Sequence, residues 1–259
     1  ILMISVERFK NERFRNQLKH MQISLLVIDE AHCISEWGHN FRPDYLKLPQ
    51  YQKEFNIPQS LLLTATATAQ VIKDMQQKFN IDTDDVVTTG FYRKNLFLQM
   101  SPINENQRNQ QLLERIQSDP VAPTIVYVTL QNSAKIVADF LMNHGINAQH
   151  YHAGMKSDER EIIQNKFMQG QLCCIVATIA FGMGIDKADV RRVIHYDLPK
   201  CIENYSQEIG RSGRDGQFSL CEVMANNDNL TVLENFIYGD TPDATSIKQF
   251  LEQIVNTQE

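Results

Sequence analysis

Asp29 and Glu30 close a run of four apolar residues, Leu25 to Ile28, and are followed by Ala31 and His32. A short continuous apolar run is the pattern of a strand buried on both faces, as in a parallel sheet. Acids at the carboxyl end of such a strand stand at the rim where open α/β folds place ligands. Neighbouring side chains at a strand end point in different directions, so the two carboxylates suit different tasks. Asp29 is suited to hold Mg²⁺, directly or through water, and Glu30 to orient and deprotonate a water. That division of labour is what nucleotide hydrolysis requires. Taken alone, the pair is equally compatible with an acidic loop after a core strand.

Three further groups could do chemistry. The segment from Ser35 to Tyr45 holds the single tryptophan, Trp37, with His39, Phe41, Arg42 and Tyr45, and has neither helical nor strand period. It reads either as a loop folded on its own aromatics or as flat faces and a guanidinium on which bases stack. Thr64, Thr66 and Thr68 line the end of a second apolar run, Leu61 to Leu63. Farther on, Gln207 to Gly216 sets Arg211 and Arg214 among three glycines.

The elements that must position these residues follow from periodicity. A surface helix is expected within 5–19, with Val6, Phe9, Phe14 and Leu18 on one face. A strand at 24–29 carries the acids, and a second buried strand precedes Thr64. Thr68 caps a helix over 69–79 that presents Val71, Ile72, Met75 and Phe79. A short strand is expected at 85–89, and 90–106 reads as the crossing to a second domain. Strands at 123–128, 147–151, 173–177, 191–196 and 218–224 alternate with helices at 106–118, 131–143, 157–169 and 202–209. That alternation implies a parallel sheet with right-handed crossovers. The remaining stretch, 226–257, is helical in pattern and broken at Thr241-Pro242-Asp243. The expected division is 1–94, 95–225 and a helical tail at 226–259.

Composition sets outer bounds. The chain has 259 residues, 42% hydrophobic and 22% charged, enough for two modest domains. The net charge of −6 gives no support by itself for nucleic-acid binding. Local basic grooves remain compatible with it, because steering depends on where charges sit. Cys33, Cys173, Cys174, Cys201 and Cys221 form no C-x-x-C pair. They read as small hydrophobes in a reducing cytoplasm, and no zinc is expected. No apolar run approaches membrane-spanning length. The chain opens on Ile1 inside an apolar segment and reads as part of something longer.

The order of these pieces resembles superfamily 2 helicases, and specifically the RecQ family. Asp29-Glu30-Ala31-His32 matches the DEAH motif, and 35–45 the RecQ aromatic-rich loop. Thr64-Ala65-Thr66 matches motif III, and Ile125-Val126-Tyr127 fits motif IV. Tyr151-His152-Ala153-Gly154 matches the short motif after it, Thr178 to Lys187 motif V, and Gln207 to Gly216 motif VI. The resemblance implies an α/β fold of two RecA-like domains with parallel sheets, the first incomplete, and ATP in the cleft between them. It implies that Asp29 holds the metal, Glu30 positions the attacking water, and His32 hydrogen-bonds toward motif VI. Arg211 and Arg214 become arginine fingers, with Gln207 beside them and Gly184 and Asp186 facing the nucleotide. Thr64 and Thr66 couple nucleotide state to DNA. Trp37, Phe41 and Arg42 stack on bases, while His152, Gly154 and Thr178 contact phosphates. Family precedent implies 3′–5′ travel on single-stranded and forked DNA by a monomer in a bacterial cytoplasm, at the nucleoid, with no membrane partner.

One departure is large. No G-x-x-x-x-G-K-[ST] occurs anywhere in the chain, so the anion cradle for the β- and γ-phosphates is not among these residues. The expectation is a helicase whose parent hydrolyses ATP and whose present segment does so negligibly. The alternatives are a non-hydrolysing DNA-binding or regulatory remnant, or an RNA helicase with the same core.

Overall fold

A computed structural model describes residues 1–35, 42–90, 92–182 and 185–238. The chain divides into two units, Ile1–Tyr92 and Arg93–Glu259.

In the first unit, α1 (Glu12–Leu18) precedes β1 (Leu25–Ile28), α2 (Leu48–Glu54), β2 (Gln59–Leu62) and α3 (Ala69–Phe79). The helix expected within 5–19 is two pieces, a 3₁₀ turn at Val6–Lys10 and α1. Asn11 separates them because its side chain accepts from Phe14 N (3.0 Å) and caps α1 instead of continuing the first turn. β1 and β2 are parallel, with Val27 opposite Leu61. The two strands are not buried on both faces. Ile28 is inside, while Leu25, Val27, Leu61 and Leu63 are exposed. Side chains alternate across a strand, and the helices cover one face only. That covered face packs Ile28 with Leu18, Phe55, Val71, Met75 and Phe79. Thr68 does cap α3, accepting from Val71 N at 3.3 Å. No strand forms at 85–89 among the described residues. A 3₁₀ turn at Thr83–Asp85 stands there, and Val87 is exposed.

The second unit is one six-stranded, all-parallel sheet in the order β3-β8-β7-β4-β6-β5. The elements are β3 (Leu96–Pro102), α4 (Glu105–Gln117), β4 (Thr124–Tyr127), α5 (Gln131–Asn143), β5 (Ala148–Tyr151) and α6 (Ser157–Met168), then β6 (Cys174–Ala177), β7 (Arg192–His195), α7 (Ile202–Ile209), β8 (Ser219–Ala225) and α8 (Asp228–Tyr238). The segment read as a crossing is β3, a seven-residue edge strand beside β8. β4, β6 and β7 are buried throughout, as continuous apolar runs in a covered parallel sheet should be. Their residues alternate between two cores. Val126, Val176 and Ile194 pack against α4 and α5, while Ile125, Ile175 and Val193 pack with Ile163, Phe167 and Phe181. Gly145 and Gly170 lie just past α5 and α6 with φ +82° and +74°, the left-handed conformation that stops a helix. The five cysteines are free.

Phe167 is fully buried and meets Phe181 edge to face at 5.7 Å. Phe167→Ala should therefore cost about 3–5 kcal/mol of unfolding free energy. Ile162→Ala, at a position of the same helix that is 54% exposed, should cost under about 0.5 kcal/mol. Urea midpoints of the two variants check the contrast.

Candidate active site

The acidic pair stands where β1 ends. Leu63 N donates to Ile28 O and Ala31 N to Leu63 O, both at 2.9 Å, so the ladder with the β2 side continues through the turn. Between these bonds Glu30 takes φ +50°, ψ +42°. A glutamate in the left-handed region is uncommon and strained, and such strain collects at functional sites. Asp29 Oδ1 accepts from Glu30 N at 2.9 Å, which fixes the Asp29 carboxylate. One oriented, solvent-facing carboxylate suits Mg²⁺, which keeps several waters and takes its other ligands from phosphates.

His32 is buried, 2% exposed. Its Nδ1 lies 3.0 Å from Thr64 Oγ1 and 3.3 Å from Glu30 Oε2. Thr64 donates its single hydroxyl proton to Thr66 O at 2.9 Å. Thr64 Oγ1 can therefore only accept from His32, and Nδ1 is the protonated nitrogen. Hydrogen bonds thus run from His32 through Thr64 to the Thr66 backbone, and the Glu30 carboxylate stands against the same imidazole nitrogen at 3.3 Å. Thr66 Oγ1 is buried with no partner among the described residues.

Two links from this turn were not legible in the sequence. Ser35, fully buried, donates to Asp74 Oδ2 at 2.5 Å and so anchors the turn to α3. Arg42 N donates to Cys33 O at 3.0 Å. The chain that leaves at Ser35 therefore returns at Arg42 onto the residue beside His32. The Arg42 side chain is exposed. Trp37 and Phe41 lie outside the described residues, as does Gly184.

In the second unit Thr178, His152 and Gly154 fall on loops at the carboxyl ends of strands, Gln207 on α7, and Arg211 and Arg214 on the turn between α7 and β8. Thr178 follows β6, is buried, and bonds through its N–H to Tyr151 O at 3.2 Å. His152 and Gly154 follow β5. His152 stacks on His150 at 5.5 Å, and burial followed by the charge of His152 holds the His150 imidazole below its ordinary pKa. A Cβ on Gly154 would stand 2.4 Å from Gln131 Oε1, so glycine lets the first residue of α5 approach the turn. Gln207 is half-buried on α7.

The two arginines differ. Arg211 is half-buried and its Nη1 donates to Gly182 O, which joins motif VI to motif V. It also stands by the Tyr127 hydroxyl, where burial raises the phenol pKa and the Arg211 charge opposes the rise. Arg214 is exposed and pairs with Asp186 Oδ1 at 2.7 Å. An exposed pair of this kind contributes about 0–1 kcal/mol, so the guanidinium is cheaply released to another anion. Asp215 accepts from Arg191 and from Gln217 N at 3.0 Å.

Two family models match in chain order. The DEAD/DEAH box helicase family covers residues 1–75, and the helicase conserved C-terminal domain covers 107–216. The probable ATP-dependent DNA helicase RecS of Bacillus subtilis (strain 168) is 37% identical over 100% of this chain and 52% of its own length. The ATP-dependent DNA helicase RecQ of Pasteurella multocida (strain Pm70) is 37% identical over 83% of this chain and 34% of its own. The chain belongs to the RecQ family of superfamily 2 helicases.

This RecQ-family chain spans about half, or less, of the length of the curated relatives it matches. Its fold is that of RecA-like helicases. A solved structure titled S. cerevisiae Dbp5 bound to RNA and ADP BeF3 aligns with a TM-score of 0.67 at 19% identity, covering 97% of this chain and 66% of that one. Among the described residues no three His, Cys, Asp or Glu converge on a metal position. No helix among them is long and apolar enough to cross a membrane.

The Arg191 hydrogen bond and then the Gln217 N–H hold the Asp215 carboxyl below its usual pKa. A depressed carboxylate stabilises the fold above its unfolded pKa and loses that contribution as pH falls through the folded value. Asp215→Asn should therefore be modestly less stable than the parent at neutral pH, with the gap closing below about pH 3.9. Urea midpoints measured across that range check it.

Proposed function

We propose that the protein carrying this chain is an ATP-dependent DNA helicase of RecQ type. It couples ATP hydrolysis to 3′–5′ movement along single-stranded DNA and to unwinding of forked duplexes. The observation that carries this reading is the path Glu30–His32–Thr64–Thr66. It sets the residue placed to orient water against His32, which is hydrogen-bonded to the threonines of motif III. A pure binding module has no use for a strained acid wired in this way.

The roles follow from chemistry. Mg²⁺, when bound with ATP, neutralises phosphate charge and orients the transferring group. Asp29 would hold the ion, and Glu30 would orient the attacking water and take its proton. Arg211 and Arg214 neutralise phosphoryl charge, with Gln207 beside them. Asp186 and Gly184 face the nucleotide, and Asp186 is released from Arg214 when that arginine turns to the phosphate. Thr178, His152 and Gly154 meet DNA phosphates through hydroxyl and backbone N–H groups, which position without reading sequence. Trp37 and Phe41 stack on bases, with Arg42 beside them. The Arg42–Cys33 bond places that loop's return one residue from His32, so base stacking can bias the hydrolytic turn directly. We place the protein in the cytoplasm, at the nucleoid, acting as a monomer.

The test is DNA-stimulated ATP hydrolysis by the full-length protein. Glu30→Gln should retain ATP binding while turnover falls about 10²–10⁴-fold, the range of general base catalysis. Equal rates would leave the non-hydrolysing reading standing. The 259-residue chain alone should turn over ATP negligibly, since the phosphate cradle is not among its residues; robust hydrolysis by it would refute that part of the account. Single-stranded DNA should outcompete RNA of the same length, and the reverse ranking would favour an RNA helicase.

A further inference from the structure

The second unit begins at Arg93, and its first residues grip the loop that carries Arg211 and Arg214. Arg93 Nη2 donates to Ser212 O at 3.0 Å and to Gly213 O at 2.6 Å. Asn95 Nδ2 donates to Gly213 O and to Gln217 O, both at 2.8 Å. Asn95 also accepts from Ser219 N through its own carbonyl at 3.0 Å. Ser212 and Gly213 are the two residues between the arginines, so the grip falls on the backbone that sets their spacing and direction.

The turn is shaped for that grip. Gly213 has φ +53°, and a Cβ there would lie 2.5 Å from Asn95 Nδ2 and 2.8 Å from Gln217 O. Only glycine leaves room for the amide. From the other side, Gly213 N donates to Val190 O at 2.9 Å. The turn is therefore pinned by its N–H to the start of β7 and by its carbonyls to the start of β3. Within the motif Gly216 N also donates to Gly213 O at 3.0 Å, while the bonds from Arg93 and Asn95 come from outside it.

We infer that Arg93 and Asn95 are positioning residues for the Arg211–Arg214 pair. They act through the Ser212-Gly213 backbone and touch no nucleotide. Because they follow directly on the last residue of the first unit, Tyr92, they tie the shape of the arginine loop to the strand of chain that joins the units. A pull on that chain would reach the arginines through four hydrogen bonds. The inference rests on the hydrolytic reading proposed above, and the experiment keeps the two apart.

DNA-stimulated ATP hydrolysis is measured on the full-length protein for Arg93→Ala, Arg93→Lys, Asn95→Ala, Arg214→Ala and the double variant Arg93→Ala/Arg214→Ala. Misplacement of a catalytic group by about 1 Å can cost up to about 10²-fold, so Arg93→Ala and Asn95→Ala should each lower kcat at least about tenfold with KM for ATP little changed. Arg93→Lys, which keeps the charge and can keep one bond, should recover part of the loss. The double variant should lose less than the product of the two single losses, because contacts that act through one another are not additive. Amide hydrogen exchange over 210–217 should rise in both alanine variants while exchange over 124–127 stays unchanged. Wild-type kcat in both alanine variants, fully multiplicative losses in the double, or unchanged exchange over 210–217 would each overturn the inference. If Arg93→Ala fails to fold, Asn95→Ala and Arg93→Lys carry the same measurements. Full turnover by Arg214→Ala would sink the hydrolytic reading and this one with it. Sensitivity to Arg214 with indifference to Arg93 and Asn95 would sink this one alone.

Discussion

All strands among the described residues run parallel to their neighbours, and that constraint orders everything else. A parallel strand cannot be reached by a tight hairpin, so each connection crosses over and each strand delivers its carboxyl end to the same rim. Residues far apart in the chain thereby become neighbours on one edge. In the second unit this brings the loops after β5 and β6 together, where Thr178 N meets Tyr151 O. In the first it sets the turn after β1 beside the threonines after β2. The hydroxyl of Thr64 can then accept from His32 because its one proton is already committed to Thr66 O. Chemistry at the rim follows from strand direction before any side chain is chosen.

Much of this was legible because the relevant interactions are short in sequence. The Thr68 cap, the α7 bounds at 202–209 and the buried runs of β4, β6 and β7 are decided within a few residues of themselves. Where pairing decides, local pattern misleads. Residues 85–89 are rich in β-branched side chains, yet no strand lies beside them and Val87 is exposed. β-propensity measures fit to a sheet surface, and without a sheet it predicts nothing. β3 shows the converse. Leu96–Pro102 lacks clean alternation and ends in proline, as edge strands tolerate. Its identity comes from β8, more than a hundred residues away, which pairs with it at every position.

The same distinction separates the parts of the site. Residue types and order pointed to Asp29, Glu30, His32, Arg211 and Arg214. The left-handed backbone of Glu30 had no sequence signal, since glutamate neither favours nor announces that conformation. Ser35 on Asp74, Arg42 on Cys33, and Arg93 with Asn95 on the arginine turn were equally silent. Each joins segments whose approach depends on the whole unit being folded. Motifs thus name the reacting groups, and the long-range bonds that hold them appear only in three dimensions.

The contrast between the two arginines shows why such holding matters. Arg214 sits in an exposed pair with Asp186 and exchanges partners at little cost. Arg211 is tied to the Gly182 carbonyl, beside a buried tyrosine, and its Nε is buried without a partner among the described residues. The Gly182 carbonyl accepts from both Arg211 and Ile185 N at 3.3 Å, so moving Arg211 disturbs motif V at a carbonyl that keeps one partner. Arg214 is thus held loosely and Arg211 closely, on either side of the Ser212-Gly213 backbone.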